Sequence, residues 1–266
     1  MQFIDTHCHL TLDHFNLDID EVLFRASENN ITKIIIPSID IPSIEKAIKL
    51  AENYSQIYAA IGLHPNDGNS WEKNTIDKLR TFARHPKVVA IGEIGLDFYW
   101  DECPRDKQQL IFEEQLFLAE EVNLPVIIHS RDSLSEVLST LKKWKSNYPS
   151  DKLQPGKKFG ILHAFEGDLE SAQIANSLGF LIGIGGPVTY KKSVKKQEIA
   201  ERIDLEWIVL ETDSPFLSPM PFRGKRNEPM NIKLIAERIA QIRNIQLKLV
   251  SQITTKNANV LFALEY

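Results

Sequence analysis

The sequence predicts an α/β fold, a single (β/α)8 TIM barrel spanning residues 1–266 with extra helices at its C-terminal end. Three observations carry this reading. Eight apolar, strand-like runs recur at intervals of roughly thirty residues, the length of one strand–helix unit. The segments between them place apolar residues at helical spacing. Several runs, such as Ile34-Ile35-Ile36 and Val126-Ile127-Ile128, are apolar at consecutive positions, as befits strands covered on both faces. Alternating strands and helices call for parallel pairing through right-handed crossovers. An open doubly wound sheet is the competing arrangement, but no Gly-x-Gly-x-x-Gly follows the first strand.

The expected strands are, in order, Gln2–His9, Thr32–Ser38, Ile57–His64, Val88–Asp97, Pro125–Ser130, Lys158–Phe165, Phe180–Gly186 and Glu206–Asp213. The expected helices between them are Asp20–Asn29, Ile41–Asn53, Thr75–Arg84, Lys107–Glu121, Ser133–Lys145, Leu169–Leu178 and Lys195–Arg202. Two more, Asn231–Arg243 and Lys248–Leu264, follow the last strand. The polar stretch Lys145–Lys157 reads as a surface excursion, and no Pro/Gly/Ser-rich linker divides the chain.

A hydrophobic content of 43% with 25% charged residues is ordinary for a globular protein. The net charge of −5 argues against a generally basic nucleic-acid coat, while leaving room for local patches. Two cysteines without a spacing pattern, Cys8 and Cys103, suit a reducing compartment. The N-terminus runs straight into a strand with no basic or long apolar leader. No stretch reaches the roughly twenty apolar residues a bilayer span needs. A cytoplasmic protein with no membrane association and no obligate protein partner is expected.

The chemistry lies at the strand ends. His7-Cys8-His9 sets two imidazoles at i and i+2, on one face of a strand, with Cys8 pointing the other way. Later runs end in or contain His64, Glu93, His129, His163 and Asp213. In a closed barrel the C-terminal ends of all strands meet at one mouth, so residues distant in sequence become neighbours there. Four imidazoles and two carboxylates, with His64 in reserve, exceed what one ion uses and favour two metals sharing a carboxylate. Each residue also has a duller explanation. His129 and His163 taken singly would be hydrogen-bonded core histidines, and Asp213 could cap the helix after the eighth strand. Glu93 sits inside an apolar run, where an ionised carboxylate has to be paired or bound to a cation. Asp5 and Glu211 share the inward parity of His7 and Asp213 and would orient the ligands from behind or form a structural polar pair. His14 and His85 fall in polar surroundings and read as solvated.

These strings together resemble the TatD-type metal-dependent deoxyribonucleases of the amidohydrolase superfamily. The matching segments are Asp5-Thr6-His7-Cys8-His9, Gly62-Leu63-His64-Pro65, Gly92-Glu93-Ile94-Gly95-Leu96-Asp97 and His129-Ser130-Arg131. His163 with Phe165 and Gly167, and Glu211-Thr212-Asp213-Ser214-Pro215, complete the set. Gly183-Ile184-Gly185-Gly186 and Leu210–Pro215 are also similar to the YjjV-type branch. The resemblance implies a TIM-barrel hydrolase with two divalent ions (Mg, Mn or Zn). It assigns His7, His9, Glu93 and Asp213 to one metal, and makes Glu93 the bridge to a second held by His129 and His163. Ala164 departs from the cysteine or glycine common beside that histidine.

For a phosphodiester, Asp213 would act as general base, and His64, Arg131, Arg223 and Arg226 would hold phosphates. Arg226-Asn227-Glu228-Pro229 matches the family's string, whereas Lys191-Lys192 through Lys195-Lys196 reads as a solvated charge run. Phe98-Tyr99-Trp100 would either stack on an unpaired base or form a hydrophobic lid. The leading expectation is a deoxyribonuclease acting on single strands or ends of DNA, or on another phosphodiester. The alternatives are a hydrolase of a small ester, lactone or amide, and a non-catalytic partner-binding barrel.

Overall fold

The computed structural model describes residues 1–150 and 156–264, so part of the 145–157 excursion lies outside the described residues. Eight parallel strands follow one another in chain order around the sheet. They are β1 (Phe3–Asp5), β2 (Ile31–Pro37), β3 (Ile57–Ile61), β4 (Val88–Asp97), β5 (Val126–Arg131), β6 (Gly160–Leu162), β7 (Phe180–Ile184) and β8 (Ile208–Leu210). Thr6 N–H donates to Leu210 O at 3.0 Å and Asp213 N–H to His7 O at 2.8 Å, which joins the two ends of the sheet into a barrel.

Helices α1 (Ile19–Glu28), α2 (Ile41–Asn53), α3 (Thr75–Phe82), α4 (Arg105–Val122), α5 (Leu134–Ser146), α6 (Leu169–Leu178) and α7 (Val194–Arg202) connect successive strands. Two start at reciprocal caps: Asp40 with Ser43 opens α2, and Asp168 with Ser171 opens α6. After β8 come α8 (Ile232–Arg243) and α9 (Leu247–Leu261). Among the described residues, α8 fills the eighth place of the outer ring against α7, and α9 lies beyond the regular set.

One cluster of buried side chains draws a residue from every strand: Ile4, Ile35, Ala60, Ala90, Ile127, Ile161, Leu181 and Val209. Only the barrel interior lets all eight strands meet. Ala258, Leu261 and Phe262 of the last helical segment join the same cluster. Polar side chains of α9 fasten to the strand beginnings, with Ser251 Oγ donating to Gln2 O and Asn257 Nδ2 to Ile208 O. Helix α9 therefore closes the floor and leaves the C-terminal mouth open.

Several strands are shorter than the apolar runs suggested. His7, His9, His64, His163 and Asp213 all lie beyond the ladder ends, and only Glu93 and His129 remain inside strands. The chain bends at Thr6, and His7 and His9 follow beyond the end of β1, on either side of an isolated parallel bridge between Cys8 and Ser214. The same bend corrects the expected parity of Asp5. Ile4 faces the interior, so Asp5 does not share the inward run of His7. Glu93 owes its direction to an irregularity in the β4–β5 register between Ile91 and Ile94, which re-aims the strand. Gly95 makes that pairing possible: its φ is +143°, and a Cβ there would sit 2.0 Å from His129 O.

Candidate metal centre

The mouth gathers the expected histidines and acids around Glu93. His7 Nε2 lies 3.1 Å from His9 Nε2, and Glu93 Oε2 lies 3.3 and 3.7 Å from those two nitrogens. Asp213 Oδ1 is 3.4 Å from His9 Nε2 and 3.9 Å from His7 Nε2. Donors bound at about 2.1 Å in a tetrahedron stand about 3.4 Å apart, so this spacing suits one divalent ion. The other carboxylate oxygen, Glu93 Oε1, faces a second set. It is 2.9 Å from His129 Nδ1, 3.1 Å from His163 Nε2 and 3.9 Å from His64 Nε2. Among the described residues, His7–His9–Asp213 and His64–Glu93–His129 are groups whose donor atoms all lie within 4.8 Å of one another.

The protonation states agree with a cation site. Burial lowers His7, with the neighbouring His163 adding to the shift, so the neutral ring is favoured. Burial also drives His64 down to about 3, reinforced by His129. Burial alone would protonate Glu93 and Asp213, but the surrounding histidines outweigh it and hold both carboxyls below their ordinary values. His129 and His163 are raised despite burial because carboxylates flank both nitrogens of each ring. His7 and His163 stack 3.6 Å apart, so positive charge favoured on His163 helps to keep the His7 ring neutral.

Behind each of the two histidines nearest Glu93 Oε1 stands a carboxylate. Asp97 Oδ2 is 3.0 Å from His129 Nε2, and Glu211 Oε1 is 3.5 Å from His163 Nδ1. Asp97, which is within hydrogen-bond distance of His129, fixes that ring's tautomer and direction. Glu211 stands beside His163 with its Oε1 accepting from the Ala164 N–H, and Gly183 leaves room for it: a Cβ there would lie 2.3 Å from Glu211 Oε2. Asp5 instead accepts from the backbone N–H of His7 and Thr212 and from the Thr212 hydroxyl. Asp97 is a positioning residue that sequence reasoning missed. Its signal was present as an acid ending the strand that carries Glu93.

Of the expected phosphate contacts, His64 and Arg131 line the cleft over the centre, together with Trp100 and Phe216. Arg226 and Arg223 do not. Arg226 donates to His14 O, both oxygens of Asp18 and Glu228 Oε1 at 2.6–2.8 Å. Arg25 grips the same Glu228 at 2.8 and 2.9 Å, so this network ties the loop before α8 to α1. Arg223 lies exposed, its guanidinium 4.6 Å from the Tyr190 ring centre. Lys196 also departs from the solvated reading: it is half-buried and donates to Phe165 O at 2.7 Å. Both cysteines are free and buried. Among the described residues, no helix is long and apolar enough to cross a membrane.

A parallel barrel carrying buried imidazoles and carboxylates at its C-terminal mouth belongs to the class of metal-dependent hydrolases. The model of the TatD related DNase family matches residues 4–263, and the chain belongs to that family. The "Uncharacterized metal-dependent hydrolase YabD" of Bacillus subtilis is 40% identical over 258 residues, 97% of this chain and 98% of its own. The "3'-5' ssDNA/RNA exonuclease TatD" of Klebsiella pneumoniae is 32% identical over 266 residues, 98% of each chain. The crystal structure of YjjV, a TatD homologue from Escherichia coli, superposes with a TM-score of 0.91. It is 33% identical and covers 99% of this chain and 98% of that one.

Proposed function

We propose that the protein is a deoxyribonuclease that hydrolyses phosphodiester bonds at single strands or ends, using two divalent cations (Mg, Mn or Zn). The observation that carries this is the division of labour at Glu93, whose two oxygens face separate donor sets. His7, His9, Glu93 and Asp213 would hold one ion, and Glu93, His129 and His163 the other. Cations so placed activate water near neutral pH and neutralise charge on a phosphoryl group.

The chain's own groups do the rest. Asp213 is partly open to the cleft and is held ionised, which fits it to orient the attacking water and accept its proton. Its backbone adopts a left-handed φ of +57°, turning the carboxylate off the end of β8 into the mouth. Arg131, with no ion-pair partner among the described residues, would take a phosphate oxygen, and neutral His64 would donate to another. The name of the Klebsiella relative supports a single-stranded substrate.

The test is incubation of purified protein with labelled single-stranded DNA and Mg2+ or Mn2+, with and without EDTA. Metal-dependent shortening of the strand is expected, and Glu93→Ala should lose bound metal and activity while keeping its circular dichroism. Turnover of an ester, lactone or amide with no cleavage of DNA or RNA would overturn the substrate. Unimpaired hydrolysis by Glu93→Ala would overturn the bridge.

A further inference from the structure

Two aromatic surfaces flank the centre from opposite sides of the barrel, and the proposed hydrolysis does not use either. On one side, the loop after β4 carries Tyr99 and Trp100, 54% and 49% exposed. On the other, the turn after β8 carries Phe216, 50% exposed, with Leu217 beside it. In an eight-strand ring β4 and β8 stand diametrically opposed. Trp100 and Phe216 nevertheless line the same cleft as His9, His64, Glu93 and Asp213. Large aromatics exposed at a polar, buried-ligand site mark a recognition surface rather than a core defect.

Both surfaces are built rigidly. Tyr99 and Trp100 meet edge to face, their centres 4.8 Å apart at 86°. Their backbone N–H groups donate to Asp97 Oδ1 at 3.0 and 3.2 Å. The Arg131 guanidinium lies 3.8 Å from the Tyr99 ring centre and 5.7 Å from that of Trp100, placing a cation against the platform. The Phe216 ring lies 6.3 Å from the His9 ring in an edge-to-face arrangement, and the Phe216 N–H donates to Asp213 O at 2.8 Å. Flat apolar faces beside one guanidinium, on both flanks of a phosphodiester-cleaving centre, match unpaired nucleobases strung on phosphates. Every base offers a π face, so such stacking tolerates sequence but needs the bases free of a duplex.

We infer that Trp100, backed by Tyr99 and Arg131, and Phe216 form two base-stacking seats that bracket the centre and select single-stranded nucleic acid. This inference rests on reading the cleft as a nucleic-acid hydrolase site. Its test separates bases from phosphates. A fluorescein-labelled phosphorothioate thymidine octamer and an abasic octamer of equal phosphate count are titrated by polarisation in Mg2+.

The wild type should bind the base-bearing strand about tenfold or more tighter than the abasic one. Trp100→Ala and Phe216→Ala should each cut that ratio several-fold, the double variant should bring it close to one, and Trp100→Phe should restore most of it. Equal binding of the two octamers by the wild type, or an unchanged ratio in the double variant, overturns the seats and leaves the hydrolase reading standing. Failure of the wild type to bind either octamer overturns both.

Discussion

Asp97→Asn should disable the second donor set through a proton on His129, with almost no change in shape. Asp97 Oδ1 accepts from the backbone N–H of Tyr99 and Trp100, while Oδ2 faces His129 Nε2 at 3.0 Å and Asn66 Nδ2 at 3.2 Å. An asparagine amide cannot serve both sides. Keeping its oxygen on the two backbone donors, the arrangement that saves more hydrogen bonds, points its NH2 at His129 Nε2. That nitrogen must then accept, and the ring proton moves to Nδ1, which faces Glu93 Oε1 at 2.9 Å. The lone pair that would meet a cation there is gone. Loss of a partner behind a metal-binding histidine typically costs about 10–100-fold in affinity, or about 1.4–2.8 kcal/mol. Competition titration with a chelating dye should show one ion held as in the wild type and the other weakened by that factor, and nitrogen NMR should report the switched tautomer. Two ions bound by Asp97→Asn within twofold of wild-type affinity would refute the argument.

Gly183→Ala should weaken the same ion from the opposite side. Its Cβ would lie 2.3 Å from Glu211 Oε2 and must displace the carboxylate behind His163; about a tenfold loss of metal affinity is expected by the same titration. Arg226→Ala should lower the melting temperature by about 2–4 °C, the equivalent of about 1 kcal/mol, by releasing Asp18 and Glu228. It should leave the salt dependence of strand binding unchanged. Arg131→Ala should instead reduce the slope of log affinity against log salt by about one, since Arg131 is the arginine lining the cleft. Metal affinity should fall as pH drops. His129 and His163 hold protons above the ordinary histidine range, and these must leave before a cation enters, so acid competes and the affinity levels off on the alkaline side. Equal affinities at about pH 6 and pH 8 would contradict this.

The sequence exposes the barrel because strand runs such as Ile34–Ile36 bury both faces, a demand that few folds meet. The convergence of histidines and acids is legible for a related reason: they fall at the ends of apolar runs, which a closed barrel brings to one mouth. Strand ends were legible only loosely. Buried side chains continue through Thr6-His7-Cys8 and on to His163, although the strands β1 and β6 end at Asp5 and Leu162. A chain leaving a barrel mouth keeps its buried side chains while giving up its ladder. Arg226 was misread because its partner Asp18 lies about two hundred residues away, and a basic string carries no mark of the acid it will meet. Asp97 went unnoticed for the opposite reason. It lies within a recognised motif, but its role depends on which nitrogen of His129 faces Glu93, and only geometry supplies that.

That geometry also joins the substrate seats to the centre. Asp97 holds the Tyr99–Trp100 backbone with one oxygen and His129 with the other, and Phe216 hangs from the carbonyl of Asp213. Asp97 therefore stands between the Tyr99–Trp100 surface and His129, which faces Glu93, and Phe216 is bonded directly to Asp213, which faces His7 and His9. A base pressing on Trp100 would load the same carboxylate that aims His129, and one resting on Phe216 would load the turn that aims Asp213. Strand binding and ion binding are then linked, and linkage is reciprocal. A base-bearing strand should tighten the ions, whereas an abasic strand that reaches only the phosphate contacts should do so less. The difference between the two strands should shrink in Trp100→Ala, although Trp100 is not among the residues that would hold the ions. If the seats merely added contacts, both strands would shift ion affinity alike.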